Sequence, residues 1–362
     1  MNMGKRLLFI IPSLPDFVPY VYNYIKIAEQ IGAEYDVICW NRYGDKIVGL
    51  PHNYFVYQHT TNNSFHMLRK MWEIYEFYRF AMQVVHDRHY YRVFIYTIAD
   101  SVFFARWLTH KYRNRYVFDI RDYSPMIDSK LMLPFVKKLL RYSELNVISS
   151  EGFLHWLPKG YEYTLCHNIE MNKMMGSFNG CEQRQFGGLL RVLTIGAIRN
   201  ANSNKRIVDA LGNHDNIQLD FAGGGEIADL LKNYCVDKSI ENVSFLGHYR
   251  KEEEDEIVKR CDFLNIVLPH DMISDYLMTN RFYLSVRLRK PMIVNEGNFQ
   301  AEQVKKYGLG VIIYPEDDVY TKLIEYIQSF NWADYNNNCV KYMEDVRKDM
   351  VEWEKRVKTI VL

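Results

Sequence analysis

Three apolar runs in the second half of the sequence end on glycine. Residues 191–195 run into Gly196, residues 218–222 into Gly223-Gly224-Gly225, and residues 243–246 into Gly247. A glycine closing a parallel strand lets backbone come close to a ligand, and the N–H groups that open the next helix are ready donors to phosphate. Arg199 and Lys205 follow within ten residues of Gly196. A guanidinium fork and an ammonium point charge beside such a turn would clamp a diphosphate; two solvated loop cations on an ordinary tight turn account for the same residues equally well. Neither G-x-G-x-x-G nor G-x-x-x-x-G-K-[ST] is completed. In the first half, Asp119, Arg121 and Asp122 close the run Phe118-Asp119-Ile120-Arg121-Asp122. Such groups can position an acceptor or manage a proton, and a surface salt-bridge triplet is the alternative. No Asp-x-Asp motif occurs, and the six cysteines form no C-x-x-C pair, so no metal is expected.

These residues meet only if the chain sets the ends of its strands side by side. The first half alternates strand-like runs (7–11, 35–40, 54–57, 93–96, 116–119, 146–149) with helix-like ones (20–31, 65–86, 101–112, 130–142). The pattern lapses over residues 171–190, where no clear period is left, and the stretch is read as a linker. It restarts with strands at 191–195, 218–222, 243–246, 263–268 and 292–294, and helices at 206–211, 226–235, 252–261, 280–289 and 319–329. Repeated strand–helix units predict an α/β protein with parallel sheets, and ligands then sit outside the carboxyl ends of the strands. The expected organisation is a Rossmann-like domain over 1–170, the linker, a second over 191–340, and a long closing helix near 341–362.

Composition agrees with an ordinary globular protein of two domains or three. The 362 residues are 48% hydrophobic and 25% charged, which excludes a disordered chain, a collagen-like fibre or a disulfide scaffold. Lys plus Arg number 45 against 44 acids, so no nucleic-acid partner is expected. The apolar run after Arg6 stops at Pro12, too short for a secretory segment, and no run approaches the ~20 residues that span a bilayer. A cytosolic protein is the expectation. Residues 130–141 put Lys130, Lys137, Lys138 and Arg141 opposite Met132, Phe135, Val136, Leu139 and Leu140. Such a helix either covers a sheet or lies on an anionic membrane. Trp72, Tyr75, Phe77, Tyr78 and Phe80 pose the same choice.

The order of these motifs resembles that of the family-4-type GT-B glycosyltransferases that build capsular and lipopolysaccharide chains. The resemblance rests on Gly196, Arg199 and Lys205, on Leu219-Asp220-Phe221-Ala222-Gly223-Gly224-Gly225, and on Asn242-Val243-Ser244-Phe245-Leu246-Gly247. It continues through Asn280-Arg281-Phe282-Tyr283-Leu284-Ser285 and Arg289-Lys290-Pro291-Met292-Ile293, which match the family's Asn-Lys-Leu-x-Glu-Tyr and Gly-Lys-Pro-Val-Ile. Phe118–Asp122, Ser149-Ser150-Glu151-Gly152-Phe153 and His167-Asn168 resemble its first-half elements.

The resemblance implies two Rossmann-like domains facing each other across a cleft, with the closing helix returning to the first. It implies transfer of a sugar from a UDP- or GDP-linked donor to a hydroxyl of a growing, lipid-linked saccharide, with retention and without metal or cofactor. Gly196, Arg199, Lys205, Gly223, Gly224, Gly247, Asp275, Tyr276, Asn280 and Arg281 would hold the donor, and Asp119, Arg121 and Asp122 the acceptor side. Such work would be done at the inner face of the cell membrane, with peripheral contact to anionic lipid; the oligomeric state is left open. Two positions depart from the family. Leu284 stands where it places the Glu that holds the ribose hydroxyls, which shifts that contact to Asp275 or alters nucleotide binding. Asp275 could equally be the start of the next helix. Pro12-Ser13-Leu14-Pro15 replaces a glycine-rich first loop. A nucleotide-sugar epimerase and a catalytically inactive binding subunit are the other readings.

Overall fold

The computed structural model describes residues 5–47, 49–61, 66–169 and 186–362. Most of the expected linker, with Cys181, therefore lies outside the described residues. The chain divides into two compact units, Met1–Glu170 with Asp349–Leu362, and Met171–Lys348.

The first unit is built on a parallel sheet of order β3-β2-β1-β4-β5-β6-β7. Its strands are β1 (Arg6–Ile10), β2 (Glu34–Asn41), β3 (Tyr54–Gln58), β4 (Arg92–Tyr96), β5 (Tyr116–Ile120), β6 (Leu145–Ile148) and the short β7 (Thr164–Leu165). β1 and β4 read as nearly continuous apolar runs because both of their faces are covered, and β5 and β6 do so but for Asp119 and Asn146, which are buried as well. On one face Tyr24 of α1 (Val21–Gln30) packs edge-on to Phe94, Tyr96 and Trp353. On the other, the Tyr116 hydroxyl donates to the Leu139 carbonyl of α4 (Leu133–Tyr142) at 2.5 Å. Helices α2 (Met67–Val84) and α3 (Ile98–Lys111) join α4 in one layer, α3 touching both. α3 starts three residues before its expected place: Thr97 turns the chain at φ +63°, and the helix begins directly behind it.

The second unit repeats the plan with the order β10-β9-β8-β11-β12-β13, again all parallel. The strands are β8 (Leu190–Ile195), β9 (Ile217–Ala222), β10 (Val243–Gly247), β11 (Phe263–Asn265), β12 (Met292–Asn295) and β13 (Gly310–Ile313). Around them lie α5 (Ala201–Leu211), α6 (Glu226–Asp237), α7 (Glu254–Lys259), α8 (Asn280–Arg287), α9 (Phe299–Tyr307) and α10 (Val319–Ser329). Val192, Leu219, Phe221, Phe263, Ile293 and Val311 centre the core. Two elements have no counterpart in the expected pattern, α9 and β13, yet each has a local cause. Asn298 caps α9 by accepting from Ala301 N–H, and Gly308 closes it in the left-handed region. Gly310 opens β13 so close to β12 that a Cβ would overlap the Met292 carbonyl. β11 is shorter than the run 263–268 because the Asn265 side chain accepts from Val267 N–H and turns the chain out of the ladder. The expected helix 252–261 divides into a 3-10 turn, Lys251–Glu253, and α7. The closing helix α11 (Trp332–Val361) belongs to the second unit up to Lys348 and to the first from Asp349.

Candidate functional site

In both sheets the strand order reverses beside the first strand, between β1 and β4 and between β8 and β11. Crevices for ligands open at such switch points, outside the carboxyl ends of the strands. In the second unit the glycine-ended turns of β8, β9 and β10 lie side by side, running from the sheet edge at β10 up to the switch point at β8. Gly196 N–H donates to the Ala222 carbonyl at 2.9 Å, Gly223 N–H to Gly247 at 2.8 Å, and Ile198 N–H to Gly224 at 3.3 Å. The glycines are required by this lacing. A Cβ on Gly223 would lie 1.9 Å from the Gly196 carbonyl oxygen, and one on Gly224 would meet the His248 ring at 2.3 Å. Gly196 and Gly247 have φ of +97° and +72°, with open space where a side chain would stand. The result is a bare backbone shelf.

Over this unit's strand ends two guanidiniums come together. Arg199 is exposed in the β8–α5 loop, and Arg281 is half-buried at the second position of α8. Burial and then the Arg199 charge push the Arg281 pKa down to about 10, with Tyr249 acting weakly the other way. Among the described residues neither arginine has a carboxylate partner. Two neighbouring cations without a counter-ion are costly unless an anion joins them.

Lys205 is placed differently from the expectation that it opens a helix. α5 already begins at Ala201 behind its cap, Asn200, whose side chain accepts from Ser203 N–H at 2.8 Å. Lys205 therefore falls in the second turn, where its Nζ lies 4.4 Å from the centre of the Tyr234 ring on α6. Arg281 is the cation on which the Arg199 charge acts. Asn280, exposed, and Tyr276, half-buried, lie next to it in chain order.

Asp275 does not start α8; that cap is Thr279, which accepts from Phe282 N–H. Asp275 instead accepts from His270 Nδ1 at 2.9 Å, and His270 Nε2 receives the Asn295 amide at 3.0 Å. That pattern puts the imidazole proton on Nδ1. His270 follows β11 at its carboxyl end and rests against Gly297, and it was not among the residues singled out from the sequence. Its position two residues beyond the run 263–268 was the available signal. Leu284 is buried, as are Phe282, Tyr283, Ser285 and Val286 around it. The middle of α8, residues 282–286, is buried all round, so Leu284 is a core residue.

In the first unit Asp119 is 1% exposed and Arg121 is equally enclosed. Arg121 donates to Asp119 Oδ2 at 2.5 Å and to the Cys166 carbonyl at 2.9 Å, and its guanidinium lies over the Tyr20 ring. Tyr24 adds a 2.6 Å hydrogen bond to the same Asp119 oxygen and receives Trp353 Nε1–H at 3.2 Å. This is an internal ion pair tied to the closing helix, neither a surface triplet nor a pair offered to solvent. Asp122 alone of the three is exposed.

No protein-family model and no curated sequence matches the chain. Solved structures do. Anabaena HepE in complex with UDP superposes with a TM-score of 0.68 at 14% identity, covering 98% of this chain and 100% of that one. Sucrose-phosphate synthase from Thermosynechococcus elongatus gives 0.64 at 11%, covering 99% and 95%. The apo form of the lipopolysaccharide outer core galactosyltransferase WaaB gives 0.63 at 12%, covering 96% and 99%. Identity this low speaks to architecture alone, and with two all-parallel Rossmann-ordered sheets and a closing helix that returns to the first unit, that architecture is the GT-B fold.

Proposed function

We propose that the protein is a glycosyltransferase that takes a sugar from a nucleotide-diphosphate donor and passes it to a hydroxyl of a saccharide acceptor. One observation carries the reading: Arg199 and Arg281, without an acidic partner among the described residues, follow the two strands that flank the switch point of the second sheet, near enough to repel each other, and a glycine shelf runs up to that point. A diphosphate supplies the missing anion, and its charge grows as the sugar departs. Preorganised guanidiniums then stabilise the transition state more than the ground state. The bare backbone at Gly196 and Gly247 admits the phosphates, and Gly223 and Gly224 hold the shelf flat. Lys205 adds positive potential from the second turn of α5 and is a secondary contributor. Asp275, fixed by His270, is the acid available for ribose hydroxyls, with Tyr276 and Asn280 beside it. On the acceptor side Asp122 is the exposed group, and Asp119 with Arg121 holds the strand end that carries it.

HepE was crystallised with UDP, with UDP-glucose, and with UDP and glucose together, which supports a uridine-linked donor for this chain. WaaB, a lipopolysaccharide galactosyltransferase, supports a surface-saccharide acceptor. In this reading the donor is a co-substrate, no metal or cofactor takes part, and the anomeric configuration is retained. Calorimetry with UDP, GDP and their sugar conjugates tests the donor site. Selective micromolar binding that falls at least tenfold in Arg281→Gln is the expected result, since a charged hydrogen bond is worth about 1.5–3 kcal/mol. Equal affinity in the variant, or no nucleotide binding at all, would refute the clamp. Turnover with a panel of saccharide acceptors, read by the anomer formed, separates transfer from epimerisation and from binding alone.

A further inference from the structure

At the amino ends of β6 and β7, within the first unit, lies a cavity of about 610 Å3. The end of α4 with the turn into β6 forms one wall, the loop into β7 another, and Arg356 of α11 closes a third side. Asn146 holds the first two walls together. It is 8% exposed; its amide donates to the Leu140 carbonyl at 3.1 Å and to the Glu162 carbonyl at 3.2 Å, and its oxygen accepts from Ser143 Oγ at 2.7 Å. Gly160 turns the loop at φ +85°, and the Tyr163 hydroxyl fastens it to the Pro158 carbonyl at 2.8 Å. Walls fixed in this way need no ordering when a ligand arrives.

The charges around the cavity are unevenly paired. Arg92 grips both oxygens of Glu144, at 2.5 and 3.0 Å, and Arg356 holds Glu162 at 2.6 Å and Thr164 Oγ1 at 3.2 Å. Arg141 and Lys159, both exposed, have no carboxylate partner among the described residues, and the Tyr161 hydroxyl has no hydrogen bond there. The carbonyls at the end of α4 would oppose an anion, but donors already take them. Leu139 receives Ser143 N–H and the Tyr116 hydroxyl, Leu140 receives Ser143 Oγ and Asn146, and Tyr142 receives Asn114 N–H. The acids are neutralised, and two cations are left open to a ligand.

We propose that this cavity is a second ligand site, for a small phosphorylated sugar. Arg141 and Lys159 take the phosphate, a guanidinium fork beside an ammonium. Glu162, Thr164 and Tyr161 face the sugar with acceptors and hydroxyls, which suit a polyol. An apolar ligand would find little to cover, and the volume is that of a small-molecule pocket. Both switch-point crevices open at the carboxyl ends of the strands, so this site at the amino ends is separate from them. The inference therefore stands independently of the proposed transfer.

Calorimetry of the full chain with glucose 1-phosphate, glucose and inorganic phosphate, each with and without UDP, tests it. Submillimolar binding of glucose 1-phosphate is expected, unaffected by UDP, with glucose and inorganic phosphate each at least tenfold weaker because each offers half of the contacts. Arg141→Gln with Lys159→Gln should weaken glucose 1-phosphate at least tenfold, as charged hydrogen bonds are lost, and should keep the parent melting temperature because both positions are exposed. Arg281→Gln should leave this binding unchanged. That control keeps the two sites apart, since loss of UDP binding in Arg281→Gln speaks only to the donor site. No binding of glucose 1-phosphate, equal binding of glucose or of inorganic phosphate, binding that survives the double variant, or binding that UDP or Arg281→Gln abolishes overturns the proposal.

Discussion

Arg281 carries opposite consequences for stability and for function. Its burial beside Arg199 lowers its pKa to about 10, which says that the folded protein holds this charge at a cost. Arg281→Gln should therefore raise the melting temperature of the ligand-free protein while it weakens nucleotide-diphosphate binding. Relief of an uncompensated charge is worth on the order of 1–2 kcal/mol, or about 2–4 °C per kcal/mol at this domain size. Calorimetric scans with and without UDP check both signs. A lower melting temperature without ligand would mean that the guanidinium is structural. Of the residues singled out in the second unit, the glycines were legible because backbone geometry dictates them. His270 was not legible, since its role depends on Asn295, twenty-five residues away and joined to it at 3.0 Å only in the folded sheet. Asp119 and Arg121 were legible as a charged pair but not as a buried one. Their burial is decided by Tyr24 and Trp353, which sequence spacing does not connect to them.

At the scale of the element, α8 is the helix that presents Arg281, and an ion pair anchors its far end. Arg287 donates to Asp255 of α7 at 2.6 Å, with a second, parallel hydrogen bond between the same groups. The Arg287 hydrogen bond holds the Asp255 carboxyl below its ordinary range. A folded pKa below the unfolded value, ~3.9, gives stability that is present above that value and lost as pH falls through the folded one. Asp255→Asn should thus cost about 0.5–1 kcal/mol at pH 7, discounted for the partial exposure of Asp255, and progressively less as pH falls below the unfolded value. Melting curves of parent and variant across that range check it: they should converge on acidification, and a constant gap would exclude the ion pair as the cause. Most elements matched their expected positions because both sheets are parallel and their central strands are buried on both faces, so those strands read as largely apolar runs. α9 and β13 escaped because Gln300, Glu302, Lys305 and Lys306 hide the apolar stripe of the one, and the other is only four residues long.

For the whole molecule, the closing helix matters most. Trp353 on α11 donates to Tyr24, Tyr24 to Asp119, and Asp119 pairs with Arg121, which also holds the Cys166 carbonyl. The chain's last segment is thereby fastened to the middle of the first sheet. Asp119→Asn keeps an acceptor for Tyr24 but leaves Arg121 charged and enclosed, and breaking one side of a buried pair costs about 3–5 kcal/mol. Denaturant unfolding should show that loss, and Trp353 fluorescence should report the first unit's transition moving to lower denaturant. A variant as stable as the parent, with transfer abolished, would instead make Asp119 a group that acts on substrate.

The sequence by itself determined the alternation of strands and helices, the glycine turns and the parallel α/β class, because each follows from local periodicity and backbone sterics. Tertiary structure alone decided which charges stay exposed. The fold enclosed Asp119 with Arg121, brought Arg281 within reach of the Arg199 charge, set Lys205 over the Tyr234 ring, and left Leu131 and Phe135 outside, because burial and pairing depend on groups far apart in the chain.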